Sequence, residues 1–449
     1  MRAGPPVLVV TVALAVAAAL QMVPALLAIR ATPMIAVVGV VQLAGTLAIP
    51  LGALVAGVVI DRGGLRGVVL SGSVLVAIGA VVAFATSSDG LLLLVGGALS
   101  TGLGIGALTT AVFVGAALVV APGRRPLMVA AVLVAMLPVL AAWLYIDPVV
   151  SPIVVAGMVL VAGALLATVL RGGDPPPTRA ESVPRVAGLA LLLTMGVALI
   201  VAMTEPSRTL AYLVLAPLNT TEMTDLAGLR LVVIALGVLL IGLTARALNR
   251  SGDRATVELL ACIALAGLIA AALTTGTVIR VSTASISGPI FLLPTLGALA
   301  GIGIAAWWMT ARGHAARIAT TGAVLMATAV VVAVLAPPSR DVVSTEWLVL
   351  LGVGLLAVSL GASFVSLAVR TLVADTPRLR LGLVTAGSVV AASAGAAVGS
   401  YLVSSMTVSL VEGENPFNHL VDLALLVASA VGLVMLVRRL PPTRSIDAG

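Results

Sequence analysis

The chain contains no lysine: all 24 of its basic residues are arginine. Cys262 is the only cysteine, which rules out an intrachain disulfide and any multi-cysteine metal site. Histidine is nearly absent too, and His314 and His419 stand too far apart in the chain to begin a metal cluster. Aromatic residues make up 3%, which argues against a cation–π cage for drug-like cations. Charge is the scarcest commodity. Charged residues are 9% of the 449, against about 25% in an ordinary soluble domain. No Ser–His–Asp set, metal set or carboxylate pair stands near a helix end, so no enzyme is expected.

What fills the chain instead is hydrocarbon: 61% of residues are hydrophobic, with a mean hydropathy of +1.25. A bilayer core roughly 30 Å thick needs about 20 apolar residues per spanning helix. Charge, proline and glycine cut this sequence into pieces of about that size. The expected spans are 6–29, 35–60, 68–86, 91–119, 127–146, 152–170, 186–204, 228–246, 256–278, 287–310, 318–336, 347–369, 382–407 and 420–437. These runs are too long for strands and lack sustained alternation. Backbone groups in lipid must also bond within their own segment, which favours helices. The N-terminal run to Ile29 is too long for a signal-peptide core and has no small-residue cleavage site after it, so it reads as the first span.

The arginines test this division. With the N-terminus inside, nineteen fall in inside loops, and only Arg30, Arg208, Arg280 and Arg340 fall outside, with Arg230 at a helix edge. One missed helix would scramble that bias, which follows the positive-inside rule. The net charge of +7 therefore reports topology rather than nucleic-acid binding. Trp143, Tyr145, Trp307, Trp308 and Trp347 fall at expected helix ends, as an interfacial belt does.

The longest inside connection, with Asp174-Pro175-Pro176-Pro177 in it, reads as an interdomain linker. The expected organisation is an N-terminal six-helix bundle at 1–170, a cytoplasmic linker at 171–185, and a two-helix insert at 186–254. A C-terminal six-helix bundle follows at 255–437, and a cytoplasmic tail at 438–449.

One short charged loop stands out: Asp61-Arg62-Gly63-Gly64-Leu65-Arg66, between spans two and three and preceded by Gly57. A degenerate copy runs to Arg312-Gly313-His314-Ala315-Ala316-Arg317, between the second and third spans of the last block. Another basic stretch, Asn249-Arg250-Ser251-Gly252-Asp253-Arg254, would suit a twelve-span reading, but strands the last two spans as an appendix.

Gly57, Asp61, Arg62, Gly64 and Arg66 resemble the signature loop of the major facilitator superfamily. The match departs from the family at Leu65-Arg66-Gly67, where two adjacent basic residues are usual. Six plus two plus six spans resembles the fourteen-span drug:proton antiporter branch. The resemblance implies an all-α polytopic fold in two pseudo-symmetric halves. It also implies that Gly57, Asp61, Arg62, Gly64, Arg66, Arg312, Gly313 and Arg317 form gating loops on the cytoplasmic side. Asp61 would then face the start of the thirteenth helix, near Arg380 and Leu381, where free N–H groups and the helix dipole favour a carboxylate.

Other family signatures are missing. Leu20-Gln21-Met22-Val23 puts an amide where exporters carry an acid, Ala98 replaces the fourth-helix arginine, and Leu137-Pro138-Val139-Leu140 keeps only the proline of a glycine-rich bend. The candidates for carrying protons are Glu258, Glu205, Glu222 and Asp225; Glu258 also reads as an ion-pair partner of Arg254. Gln21, Gln42, Thr101 and Thr109 are the candidate cavity residues, since an amide in lipid needs a partner helix or a polar cavity. Thr110, Ser363 and Ser366 are expected to bond back to their own helices.

The sequence thus leads to a multi-pass protein of the bacterial plasma membrane with both termini cytoplasmic. The expectation is an exporter of a hydrophobic or amphipathic small molecule or lipid, with no cofactor unless a proton gradient drives it, and with the bilayer and substrate as partners. The alternative is a transport-inactive membrane scaffold or accessory subunit holding a protein partner.

Overall fold

The computed structural model describes residues 5–31, 35–86, 90–137, 152–170, 196, 223–250, 254–283, 292–335, 345–375, 381–412 and 416–440. They form thirteen α-helices, with a 3-10 turn at Pro122–Arg124. The first six are α1 (Pro5–Ala31), α2 (Ile35–Asp61), α3 (Leu65–Ala85), α4 (Leu91–Val119), α5 (Arg125–Met136) and α6 (Pro152–Val169). Then come α7 (Met223–Arg250), α8 (Arg254–Thr283), α9 (Leu293–Arg312) and α10 (Ala315–Leu335). Last are α11 (Thr345–Ala374), α12 (Leu381–Glu412) and α13 (Pro416–Val437). Ten of these contain segments long and apolar enough to cross a membrane, and α7 and α13 contribute shorter apolar segments. Residues 138–146 of the expected span 127–146, and the expected span 186–204 apart from Gly196, fall outside the described residues.

The helices are apolar on both faces, which only a lipid-facing bundle tolerates. On α3 the outward stripe is Leu70, Val74, Ile78, Val81 and Phe84, all exposed. Its inward face is small: Gly72, Ser73, Val76, Gly79 and Ala80. With no aqueous hydrophobic effect between helices in lipid, close packing and backbone proximity hold such a bundle together. The glycines of α4 serve two neighbours at once. Gly102 and Gly106 press on Gly45 and Ile49 of α2, while Gly97 and Gly104 press on α3 at Val82, Gly72 and Val76. None of the four has room for a Cβ.

The pairing of helices repeats. In the first block α1 packs on α3 and α6, and α3 on α2 and α6; in the later block α8 packs on α10 and α13, and α10 on α9 and α13. The fourth helices follow suit. α11 meets α9 through Gly297 and Gly301, and meets α10 through Gly322 and Gly361. Several helix pairings of the first block thus recur in the later one among the described residues. Between the copies, Gly196 lies against α7, where a Cβ on it would stand 2.8 Å from the Gly237 carbonyl oxygen.

By its contacts the chain divides into two compact units. The first holds Met1–Ala121, Ala131–Asp253 and Ala374–Val390; the second holds Pro122–Ala130, Arg254–Val373 and Ala391–Gly449. Two helices are shared out. The start of α12 clusters with the first unit, and the start of α5 with the second.

Candidate functional site

The α2–α3 loop is three residues long, Arg62 to Gly64, and its backbone explains its composition. Past Asp61 the chain reverses through a left-handed residue, Gly63, at φ 89°. Gly63 donates its N–H to Ile60 O at 2.9 Å and Gly64 donates to Val59 O at 3.0 Å, the bond pair of a Schellman stop. An L side chain at Gly63 would be strained. Gly64 is needed for space, because a Cβ there would fall 2.6 Å from Val59 Cγ1.

This turn leaves Asp61 on the same face of α2 as Gly57, one turn back. That face meets the start of α12. A Cβ on Gly57 would stand 2.7 Å from Ala386 Cβ and 2.8 Å from Gly382 O, so the helices touch along their backbones. Asp61 reaches across this close approach with both oxygens. Gly382 donates its N–H to Oδ1 at 2.8 Å and Leu383 donates to Oδ2 at 2.9 Å. Both are first-turn amides with no partner inside their own helix. A carboxylate there satisfies two orphan donors and lies at the positive end of the helix dipole. Asp61 is 8% exposed, so these bonds are made away from water. Arg380, expected nearby, lies outside the described residues.

The two arginines of the loop are placed differently. Arg62 and Arg66 are exposed, while Gly57, Asp61 and Gly64 form the contact.

The α9–α10 loop repeats the turn without the carboxylate. Gly313 is left-handed at φ 64°, and its N–H bonds to Met309 O at 2.8 Å. His314 Nδ1 meets the carbonyl of Arg312. Matching Gly313 to Gly63 puts Ala311 at the place of Asp61 and Trp307 at the place of Gly57. Ala311, Arg312, His314 and Arg317 are exposed, and Trp307 is 68% exposed. The resemblance between the loops is one of backbone; the clasp occurs at the first.

The remaining candidates scatter. Thr101 is buried between α4 and α3, donates to Gly97 O at 2.7 Å, and packs on Gly79. Thr109 is half-buried on α4. Gln21 lies on α1 with its Oε1 buried and without a hydrogen-bond partner among the described residues. The side chain of Gln42 lies outside the described residues, as do Glu205, Glu222 and the side chain of Asp225. Glu258 accepts from Arg254 Nε at 2.9 Å within the first turns of α8. Thr110 and Ser363 donate back to Gly106 O and Ser359 O of their own helices. Ser366 instead accepts from the side chain of Arg370.

Arg370 is one of the arginines that the sequence misplaced, and it ends up part-buried inside a helix. It counted as a loop arginine because its own charge ended the apolar run at 369. The structure continues α11 to Ala374 and puts Arg370 inside the helix, donating from Nε to Ser366 Oγ at 3.3 Å. The signal that could have found it is the i,i+4 spacing of Ser366 and Arg370 on a hydroxyl-lined face with Ser359 and Ser363.

Solved structures with this arrangement of helices exist. The human organic anion transporter MFSD10 (TETRAN) is 17% identical, with 97% of each chain covered and a TM-score of 0.61. A bacterial homologue of the iron transporter ferroportin, in its outward-facing state, is 13% identical, with 96% of this chain and 97% of that chain covered and a TM-score of 0.64. The fold is that of the major facilitator superfamily. The same homologue with soaked iron aligns over 97% of this chain, with a TM-score of 0.63. No family model and no curated protein matches the sequence. Organic anions and iron are said of those proteins, at identities that carry the major facilitator fold and nothing finer. Among the described residues of this chain no three His, Cys, Asp or Glu side chains gather to hold a metal ion.

Proposed function

We propose that this major facilitator chain is an alternating-access transporter of the bacterial plasma membrane that exports a hydrophobic or amphipathic small molecule or lipid. The carrying observation is the Asp61 clasp: a buried carboxylate that joins the α2–α3 loop to the first turn of another block's helix. Such a bond can be made in one state and released in another, which a static scaffold has no need of. In this reading the clasp lies on the cytoplasmic side, beside both termini, and the blocks 1–170 and 255–437 rock about a midplane cavity. Residues 171–185 link them to the insert at 186–254, for fourteen spans in all. The scarcity of charge along the described spans supports an apolar substrate. Coupling to a proton gradient is part of the proposal, with Glu258, Glu205, Glu222 and Asp225 as the acids to test.

The experiment is dissipation of a preformed pH gradient in inverted vesicles, across a panel of lipophilic cations, neutral drugs and lipids, with Asp61→Asn and empty-vector controls. Dissipation that requires the protein and weakens in Asp61→Asn supports coupled export. Movement of a labelled substrate without dissipation supports uncoupled export. No movement across the panel by folded protein overturns the proposal in favour of a scaffold.

A further inference from the structure

Three helices of the second unit carry exposed apolar stripes, and each stripe runs into an exposed arginine. On α9 the stripe passes through Ile304 and Trp307 to Ala311 and then Arg312. On α10 Arg317 heads a stripe that continues through Val324 and Val331 on the same face. On α13 Val431 and Met435 lead to Arg438, with Arg439 exposed beside it. The packed sides of α9 and α10 lie elsewhere, with Gly297, Gly301 and Gly322 pressed on α11. Exposed hydrocarbon on a spanning helix faces lipid. An arginine in line with it reaches the headgroups of the lipids that cover the stripe.

The three arginine-bearing ends adjoin. α10 packs on both α9 and α13, and spanning helices joined in series alternate direction. The end of α13 therefore returns to the membrane face that holds the α9–α10 loop. Charge at this end is one-sided. α9, α10 and the loop between them contain no Asp or Glu. Among the described residues of the unit, Glu258 is the one acid at this end, and it is bonded to Arg254. Arg312, Arg317, Arg438 and Arg439 pair with no carboxylate among the described residues. Trp307 lies five residues before Arg312, about 7.5 Å along the axis, a depth at which an indole meets the headgroup layer.

We infer that the α9–α10 loop and the end of α13 form a docking surface for an anionic phospholipid. Its phosphate meets the guanidinium forks of Arg312, Arg317 and Arg438, and its acyl chains lie along the stripes that end on them. A zwitterionic lipid covers the same hydrocarbon but brings no net charge to the arginines. The lipid thus supplies at the second loop the negative charge that Asp61 supplies at the first, where Ala311 now stands.

The test leaves Trp307 as the sole tryptophan of the full chain, through Trp143→Phe, Trp308→Phe and Trp347→Phe. The protein is reconstituted in phosphatidylcholine vesicles containing increasing amounts of dibrominated phosphatidylglycerol, or dibrominated phosphatidylcholine as the neutral reference. Bromine quenches a tryptophan it touches, so the neutral probe reports whether lipid covers α9 and the anionic probe reports preference. Phosphatidylglycerol is expected to be preferred about fivefold at low salt, falling to within about twofold in the combined Arg312→Gln, Arg317→Gln and Arg438→Gln variant. Quenching by the neutral probe stays the same in that variant, which shows that the helix is still in place. Arg254→Gln, which removes an arginine already paired with Glu258, keeps the preference. Equal quenching by the two probes in the parent protein, or an unchanged preference in the triple variant, overturns the surface. So does an equal loss in Arg254→Gln, which would make the preference one of overall charge. No quenching by either probe would mean that protein rather than lipid covers α9. Relief of the anionic quenching by excess glycerol phosphate in the water would assign the arginines to a soluble phosphate instead. The readout involves no transport, so this surface and the transporter reading above stand or fall separately.

Discussion

Gly57 and Gly382 meet backbone to backbone: a Cβ on the first would stand 2.8 Å from the carbonyl oxygen of the second, and the reverse distance is 2.6 Å. The clasp depends on this approach, because Asp61 can span to α12 only while the two helices touch. Gly57→Leu is therefore expected to break the bonds to Gly382 and Leu383 without altering the carboxylate itself. Cysteine labelling at position 383 should rise severalfold in Gly57→Leu. Unchanged labelling would mean that α12 is held by something other than this contact.

Asp61→Asn keeps the shape and loses the charge. An amide offers one acceptor where two N–H groups point, and its NH2 opposes the second. Hydrogen bonds to charged groups contribute about 1.5–3 kcal/mol each, so a loss of about that size in unfolding free energy is expected, with transport impaired and membrane insertion kept. Thermal unfolding and vesicle uptake at matched expression check it. Wild-type behaviour in both would reduce the loop to a topology signal.

Ala311→Asp puts a carboxylate at the matching place in the second loop. Ala311 is exposed, so the new side chain should remain in water and change stability by less than about 0.5 kcal/mol. A clear rise in melting temperature would show that the second loop also finds a helix end.

Along α4, glycines that look alike should behave differently. Gly106 has no room for a Cβ beside Ile49, whereas nothing stands within 4 Å of a Cβ on Gly96. Gly106→Val is expected to cost about 1–3 kcal/mol through overpacking. Gly96→Val should be nearly neutral, and the pair of melting curves decides it. If both variants melt together, α4 is not held by its glycines.

Glu258→Gln removes an i,i+4 partner from Arg254, whose side chain is mostly exposed. Pairs of this kind contribute about 0–1 kcal/mol. Expression and melting should hardly move, and transport should stay within about twofold if the pair is only interfacial. Loss of gradient dissipation with transport retained would instead make Glu258 a proton carrier.

Much of this molecule could be read in its sequence, for definite reasons. α4 runs from Leu91 to Val119, the bounds its apolar run gives, because a spanning helix is delimited by where hydrocarbon stops. The partner of Asp61 was legible through family resemblance, which implies that the aspartate of this loop meets the start of a helix in the opposite half. Arg370 was not legible, because a charge that ends an apolar run looks the same in a loop as in the last turns of a helix. Thr101 and Gln21 both read as cavity residues. Only the packing separates them, with Thr101 pressed on Gly79 and the Gln21 oxygen buried without a partner among the described residues.

The distance along the chain between Asp61 and Gly382 has a consequence for how the protein is made. The two lie 321 residues apart. At a synthesis rate of about 5–20 residues per second, α2 waits roughly 16–64 s in the membrane before the helix that donates to Asp61 exists. Through that time the carboxylate must stay in water, since no amide is there to receive it. The first block is thus inserted with one edge unfinished, and the later arrival of α12 is what closes it.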